Sequence, residues 1–380
     1  MKNPMENKRI FWIILILVLL AIGASGVYFL KKAKEKVTPV GVSPKPAEVS
    51  PKEEGIIIPP ITTKETSPEA VTVITKTEKK VEVFPVEECD PQKLPKMEGK
   101  IYLSLMKKGE KEINIYQFDV EKEELRKFLS NAFVVNFSRD KEKIVFVSGE
   151  PGNSQIFIAD SDGKNIQQVT KSKDEEGVMK TRPIFSPDGN EIVFTRMKMR
   201  GDFLADEWDV FVSDLKGNER FLTSGIMPTF SPDGKYILIL KSPGIYLLNL
   251  KTNELERVIE LRDENNKLIL GQVNMMLSLS KDGKKLALTH VDRGEIYLFH
   301  ITSWEPFRYK LKGIIKSVGF WNTFSPDGNY LAIQTADISE EGETINPRLS
   351  VLETCTLKEV FSFDLGDYEP YEMWLTEWVK

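Results

Sequence analysis

Four aspartates at regular spacing are the first residues of this sequence that could perform acid–base chemistry. Each stands in a repeated Ser-Pro-Asp-Gly or Ser-Lys-Asp-Gly segment, and they are Asp188, Asp233, Asp282 and Asp327. Paired catalytic carboxylates must lie within about 10 Å of each other, whereas residues at the same place in successive repeats are held apart in separate units. An aspartate beside glycine also stabilises a tight turn by bonding its own backbone. We therefore predict a structural role for all four.

Other residues that could act as nucleophiles or metal ligands are few. The chain has two histidines and two cysteines, and its net charge is −5. His290 and His300 stand in no pattern with serine, cysteine or carboxylate that suggests a triad, and no Gly-x-Ser-x-Gly segment occurs. Residues 160–165 resemble the start of a calcium loop but lack its remaining oxygen ligands. We expect no catalytic residue, metal or cofactor, and the acidic charge disfavours nucleic acid as a partner.

The aspartates belong to a repeat that occurs five times. The segment Phe-Ser-Pro-Asp-Gly begins at Phe185, Phe230 and Phe324, and degenerate copies begin at Phe137 and Leu279. The copies are 45–49 residues apart, a period typical of the four-stranded blade of a β-propeller. In each copy an apolar strand ends at the first residue, the turn follows, and a strand rich in β-branched and aromatic residues comes next.

Two partial units complete the ring. Residues 100–129 contain three predicted strands, near 101–105, 113–118 and 125–129, with no inner strand before them. Residues 371–376 are a predicted inner strand, and Trp374 lies 50 residues beyond Phe324, in phase with the repeat. We predict that this C-terminal strand completes the first blade. The expected fold is an all-β, six-bladed propeller of four-stranded blades, closed by its last strand.

The repeated Phe-Ser-Pro-Asp-Gly segments, with the later turn at 162–165 and the outer strand ending at Val169-Thr170, resemble the WD-like repeats of TolB-type propellers. The resemblance covers about 280 residues of the chain. It implies the six-bladed fold and, because TolB-type proteins usually bind other proteins in the periplasm, a protein partner there. The chain departs from the family in its long N-terminal segment, where no separate α/β domain is evident.

Residues 10–30, from Ile10 to Leu30, are an uncharged run long enough to cross a bilayer as a helix. We predict a single-pass anchor that follows a cytoplasmic tail of residues 1–9. A cleaved signal peptide is the alternative, although the run is longer than a usual signal core. Lysines after the run would place its C-terminal flank in the cytoplasm, but the long spacer that follows favours an extracytoplasmic domain, which we expect.

Residues 31–96 contain ten of the 21 prolines and form a predicted linker before a propeller domain of residues 97–380. Residues 71–75 and 81–84 alternate like strands and could pack on the domain, although a solvated spacer is the favoured interpretation. Cys89 precedes the first blade and Cys355 lies in the last. Closure of the ring would make these cysteines neighbours, so a disulfide in an oxidising compartment and two reduced thiols are equally good hypotheses.

Connections between the second and third strands vary in length on one face of the predicted ring, as rigid scaffolds that bind partners often show. One of them carries residue types enriched at protein interfaces, and we predict a partner-binding site there at Arg196, Lys198, Arg200, Phe203 and Trp208.

The chain is thus expected to be a monomeric, membrane-anchored, non-enzymatic propeller that binds a protein or peptide at the cell surface or in the periplasm. The alternatives are a glycan-active hydrolase or lyase, or a small-ligand sensor, each using the central channel.

Overall fold

A computed structural model describes residues 72–74, 91–149, 153–171, 178–200, 203–262, 275–316, 321–339 and 344–380. The predicted tail, the predicted anchor, Cys89 and most of the predicted linker lie outside the described residues. Within the described ranges, no helix has the length and apolar character needed to cross a membrane. The described helices are two short 3₁₀ turns, Pro91–Lys93 and Val291–Arg293.

The remainder of the described chain is built from strands. In chain order they are β1 (Thr72–Ile74), β2 (Lys100–Lys107), β3 (Ile113–Asp119), β4 (Glu124–Leu129), β5 (Ala132–Phe137), β6 (Lys143–Ser148), β7 (Gln155–Asp160), β8 (Gln167–Gln168), β9 (Val178–Phe185), β10 (Glu191–Arg200), β11 (Phe203–Asp214), β12 (Glu219–Ser224), β13 (Ile226–Phe230), β14 (Tyr236–Lys241), β15 (Gly244–Asn249), β16 (Leu255–Arg262), β17 (Met275–Leu279), β18 (Lys285–His290), β19 (Glu295–Trp304), β20 (Phe307–Lys316), β21 (Asn322–Phe324), β22 (Tyr330–Ile338), β23 (Thr344–Glu353), β24 (Glu359–Asp364) and β25 (Tyr368–Val379).

These strands form six antiparallel sheets, which are the blades of a propeller. Blade 1 has the order β25-β2-β3-β4 from its inner to its outer edge, and blades 2 to 6 are the consecutive sets β5–β8, β9–β12, β13–β16, β17–β20 and β21–β24. The inner strands contact one another in the cyclic order β25, β5, β9, β13, β17, β21 and back to β25. The predicted six-bladed, four-stranded propeller is confirmed.

The last strand closes the ring as predicted, because β25 pairs with β2 and places Trp374 opposite Ser104. Its phase within the repeat differs from the prediction. Phe324, the first residue of its repeat, pairs with Leu331 in the second strand of blade 6. The residue at the same place in blade 1 is Trp378, not Trp374. Trp374 lies four residues before Trp378, nearer the beginning of this 12-residue strand.

The hydrophobic core lies at the interfaces between neighbouring blades. The second strand of every blade carries an apolar residue at one equivalent position, and these residues are at most 1% exposed: Ile101, Ile144, Ile192, Ile237, Leu286 and Leu331. A sheet that is covered on both faces must be apolar on both faces. This explains why the second strands are continuous apolar runs, such as Ile-Val-Phe-Val in β6, rather than alternating ones.

The repeated turn is held by the same hydrogen bonds in all five copies. The serine hydroxyl donates to the aspartate carboxylate over 2.5–2.7 Å and accepts the backbone N–H five residues ahead of it. The carboxylate in turn accepts the backbone N–H two residues ahead, as Asp188 does from Asn190. The hydrogen bond from Ser186 lowers the pKa of Asp188, which is therefore ionised at neutral pH. The predicted structural role of the aspartates agrees with this geometry.

Part of the predicted linker packs on the propeller. Strand β1 pairs with β16 and adds a fifth strand to the outer edge of blade 4, with Val73 opposite Leu261. The interpretation of this segment as solvated spacer is therefore wrong for residues 72–74. Nearer the domain, Leu94 packs against the core of blades 1 and 6, and the Pro95 carbonyl accepts a hydrogen bond of 2.7 Å from the Tyr330 hydroxyl.

The closing strand provides a test of the fold. Trp378 is 1% exposed, and its indole N–H donates to the Glu98 carbonyl over 2.9 Å. We expect Trp378→Ala to lower the free energy of unfolding by about 3–5 kcal/mol, because it leaves a large cavity where blades 1 and 6 meet. Urea denaturation measures this loss. The matched control is Phe221→Ala on an outer strand, where the ring is 53% exposed and the expected loss is below about 1 kcal/mol. Equal losses would contradict closure by Trp378.

Candidate functional site

The two faces of the ring differ in their connections. One face, here called the turn face, carries the connection from third to fourth strand of each blade and, in blades 2 to 6, the connection from first to second strand. The opposite face, here called the loop face, carries the connections from second to third strand and those between blades. Antiparallel pairing throughout each blade dictates this separation.

Two hairpins project from the loop face. In blade 3, β10 and β11 remain paired as far as Arg200 opposite Phe203. In blade 6, β22 and β23 remain paired as far as Ile338 opposite Thr344. The corresponding pairing in blade 4 ends at Lys241, about four residues earlier on an alignment of the repeats. At about 3.3 Å per residue, each hairpin extends roughly 10 Å beyond that level. Blades 3 and 6 face each other across a six-bladed ring, so the hairpins flank the channel mouth.

The predicted partner-binding residues lie on the hairpin of blade 3, and the structure corrects how they were expected to act. The segment predicted as an irregular loop is paired β-structure, with Arg196 opposite Asp209 and Met197 opposite Trp208. Adjacent residues of a strand point to opposite faces of the sheet, so Arg196 and Trp208 do not share a surface. The Arg196 guanidinium lies 5.2 Å from the ring centre of Phe211.

Trp208 and Lys198, two further members of the predicted set, lie in different environments. Trp208 is half-buried and packs against the core shared by blades 4 and 5, which is a structural role. Lys198 is half-buried farther along β10. Arg200 and Phe203 pair at the end of the hairpin, and their side chains lie outside the described part of the chain. Of this set, Arg196 and Trp208 therefore do not form one contact surface.

The inner strands contain a recurring distortion that directs side chains at the channel. Val134, Arg182 and Met227 each lie three residues before the first residue of their repeat, and each has a positive φ of 52–56°. The pairing register shifts at all three places. Such bulges re-aim side chains and are common beside functional sites. The backbone N–H of Val134 is satisfied by the Ser104 hydroxyl at 3.0 Å, which holds the bulge of blade 2.

Arg182 reaches from blade 3 to blades 5 and 6 inside the ring. Its guanidinium carbon lies 3.9 Å from the ring centre of Trp321, and its Nη2 donates to the Met276 sulfur over 3.4 Å. Its Nε is shielded from solvent and has no hydrogen-bond partner. Among the described residues, no carboxylate forms an ion pair with this guanidinium. Burial lowers the pKa of Arg182 to about 9, so the side chain is charged at neutral pH.

Aromatic side chains from three blades continue from Arg182. Trp321 of blade 6 lies 6.0 Å from Trp374 of blade 1, and Trp374 lies 5.6 Å from Phe133 of blade 2, measured between ring centres. Trp321 and Trp374 are half-buried. Tryptophan and arginine are the side chains that most often dominate binding energy at protein interfaces. We define the candidate site as these three aromatic residues together with Arg182.

Sequence reasoning missed Arg182, although the aligned repeats contain a signal. The position three residues before the first residue of the repeat is Val134, Met227, Met276 and Trp321 in the other intact blades. Arginine is the single charged residue in that column. Because the other repeats have apolar residues at this aligned position, the fold does not require a charge there.

At the turn face, charged side chains connect blades across the channel end. The two degenerate repeats replace proline with Arg139 in blade 2 and Lys281 in blade 5. Arg139 donates to the Pro232 carbonyl of blade 4 over 3.0 Å. Lys281 forms an ion pair of 2.5 Å with Glu377 of blade 1. The residues that depart from the repeat consensus thus bridge the ring at this end.

A second charged cluster lies at the loop face of blade 5. The Glu295 carboxylate, 4% exposed, accepts hydrogen bonds from Arg293 Nε at 2.7 Å, from Lys316 and from the Tyr297 hydroxyl. Burial alone would raise the pKa of Glu295, but the three hydrogen bonds outweigh it and lower the pKa to about 2. The described residues contain no group of three or more histidine, cysteine, aspartate or glutamate side chains placed to hold a metal ion.

We expect Glu295→Gln to lower the free energy of unfolding at pH 7 by about 1–2 kcal/mol, since its charged partners are partly exposed and recover some hydration. The folded-state pKa lies below the ordinary value of 4.5. The stabilisation is therefore complete above that pH and disappears as the pH falls toward about 2. Urea denaturation from pH 7 down to pH 2.5 should show the two proteins converging. Glu256→Gln, at an exposed position, is the control, and a difference that does not change with pH would contradict the prediction.

Cys355 lies in the turn between β23 and β24, on the turn face, where it is half-buried. It is disulfide-bonded. Cys89 lies outside the described residues, so the pairing of these two cysteines remains a prediction.

With the fold and the site described, comparison with known proteins identifies the family. A family model described as the TolB beta propeller domain (PD40) matches residues 48–245, which is more than half of the chain. The chain belongs to the TolB β-propeller family. This membership was predicted from the repeated Phe-Ser-Pro-Asp-Gly turn, and the prediction is confirmed.

Individual relatives match over short segments. The Tol-Pal system protein TolB of Geobacter sulfurreducens is 44% identical over 50 residues, which cover 13% of this chain and 11% of that protein. The protein TolB homolog of Chlorobaculum tepidum is 40% identical over 53 residues, covering 14% and 11%. The crystal structure of TolB from Acinetobacter baumannii superposes with a TM-score of 0.53 at 20% identity, over 73% of this chain and 67% of that one. That likeness is one of fold.

Proposed function

We propose that this chain is a membrane-anchored, extracytoplasmic propeller that binds an extended segment of a protein partner on its loop face. The observation that carries the proposal is the pair of hairpins on opposed blades 3 and 6, with the candidate site between their bases. Membership of the TolB propeller family supports a protein-binding role, as does the similarity to relatives described as Tol-Pal system proteins. Variation concentrated on one rim of a rigid scaffold is how loops acquire binding functions.

The shape of the loop face favours an extended segment over a broad globular surface. The hairpins project about 10 Å above the neighbouring blades, so a flat partner would contact their ends before it reached the channel mouth. An extended chain can lie between them and place side chains against Trp321 and Trp374. Ile345, on the hairpin of blade 6, is an apolar side chain left 39% exposed, as expected for a contact residue.

A small-ligand sensor is the second candidate function, and Arg182 is the observation that favours it. A channel-facing cation that has no acidic partner among the described residues is suited to a small anion. We propose binding and not catalysis for the chain, because neither the sequence motifs nor the candidate site brings together a nucleophile and a base.

Photo-crosslinking tests the proposed surface. A benzophenone side chain introduced at Lys198 or at Ile345, one on each hairpin, should crosslink the same partner in cells. The control position is Phe221, exposed on the outer strand of blade 3 and away from the channel mouth. Trp321→Ala should reduce the yield of both crosslinks at least tenfold while the far-ultraviolet circular dichroism spectrum of the propeller is unchanged. Equal crosslinking from Phe221, or no effect of Trp321→Ala, would contradict the loop-face site.

The membrane arrangement has its own test. We propose that residues 10–30 anchor the chain with residues 1–9 in the cytoplasm, and that a bond between Cys89 and Cys355 ties the linker to blade 6. Protease added to intact cells should remove a tag placed after Lys380 and spare a tag placed before Met1. Tryptic digestion without reductant should yield one linked peptide containing both cysteines, absent from Cys355→Ser. A protected C-terminal tag would overturn the extracytoplasmic assignment.

A further inference from the structure

We propose that the central channel contains a carboxylate-binding site in which Arg182 is the recognising cation. The inference rests on the proposed function, because it names the chemistry of the group that the loop-face ligand inserts. That group is a single carboxylate, carried by an acidic side chain, by a free chain terminus or by a small free acid. These sources share one chemistry and are separated by the experiment below.

The first argument is the missing counter-charge. Buried arginines in folded proteins are normally paired with carboxylates, because an isolated buried charge is strongly disfavoured. Arg182 has instead the face of Trp321 and the thioether of Met276 as its described contacts. The cation–π contact compensates for part of the lost hydration, but a thioether is a weak acceptor. Among the described residues, the Nε–H of this cation is therefore left without an acceptor.

The second argument is that the fold does not need this charge. Equivalent positions in blades 4 and 5 carry Met227 and Met276, which are unbranched, neutral side chains. Methionine at position 182 would fill similar space without burying a charge. A residue that is unfavourable for folding and confined to a channel fits a role in binding better than a role in stability.

The third argument is the geometry of the guanidinium. Trp321 covers one of its faces, which fixes the plane of the guanidinium. The unpartnered Nε–H and a neighbouring Nη–H form the parallel pair of donors that matches the two oxygens of a carboxylate. One buried positive charge balances one carboxylate. A phosphate dianion would need a second cation, and the cations described at the turn-face end, Arg139 and Lys281, are engaged with Pro232 and Glu377.

The test uses the full chain in detergent micelles, with arginine labelled by ¹⁵N. Sodium acetate should shift the Nε resonance of Arg182 in a saturable way with a millimolar dissociation constant, whereas sodium chloride at the same ionic strength should not. Sodium phosphate should bind at least tenfold more weakly than acetate. Tryptophan fluorescence should follow the same curve, because Trp321 contacts the guanidinium.

Variants separate recognition from folding. Arg182→Met should abolish the saturable fluorescence change without lowering the melting temperature, and Arg182→Lys should weaken acetate binding at least tenfold because lysine lacks the planar fork. Arg139→Met is the matched control, since it removes an arginine at the other end of the channel and should leave acetate binding unchanged. An identical response in Arg182→Met, or an equal response to chloride, would overturn the proposal.

Peptides then identify the source of the carboxylate. Seven-residue peptides with aspartate or asparagine at the centre, each with a free or an amidated C-terminus, are compared with succinate. Tighter binding of one peptide class than of acetate supports a protein ligand that presents that group. Binding of succinate and of no peptide supports the carboxylate site but contradicts the proposed protein partner. Crosslinking from the hairpins that survives Arg182→Met unchanged supports the protein partner but contradicts this site.

Discussion

The antiparallel pairing of β25 with β2 is the interaction on which the rest of the structure depends. A blade of this propeller has no core of its own, because the residues it buries are buried by its two neighbours. Without that pairing, the ring would open between blades 1 and 6, and the faces that these two blades now cover would be exposed. Closure also sets the width of the central channel, since the six inner strands are held at one distance from its axis only when all six are present. Trp378 shows how closely the last strand is fitted, because its indole is buried and hydrogen-bonded in the lead to the first blade.

The repeated turn explains how the chain produces six similar blades. Serine and aspartate together satisfy the backbone donors of the turn, and both are retained in every copy, including the two that lost proline. Proline presets φ but makes no hydrogen bond that the turn requires. The position is therefore open to substitution, and the chain uses it for Arg139 and Lys281, which connect blades at the turn-face end. Departures from the consensus are thus informative about the channel, whereas the consensus itself concerns the fold.

The candidate site, unlike the repeated turn, contains features that are unfavourable for the stability of the fold. Positive φ at Val134, Arg182 and Met227 is unfavourable for side chains that carry a Cβ, and above all for a β-branched valine. Strain of this kind persists only where the surrounding structure determines it, and it is concentrated at functional positions. The same inner strands bring a buried cation against Trp321. Arg182 lies on the inner strand of blade 3, beside the strands that form the hairpin of that blade, so strain, charge and a long hairpin coincide there.

The blade count, the turn chemistry and the closing strand could all be predicted from the amino-acid sequence. Those features depend on residues close together in the chain and on a period that repeats, so local rules were sufficient to predict them. Which side chains meet in the channel could not be predicted in this way, because it depends on how the blades are arranged in space. Arg182 and Trp321 are 139 residues apart in the chain, and their contact exists because blades 3 and 6 face each other in a closed ring. The segment that contains Arg196 and Trp208 was predicted as a loop for a related reason, whereas the pairing of β10 with β11 extends through it and strand alternation directs the two residues to opposite faces.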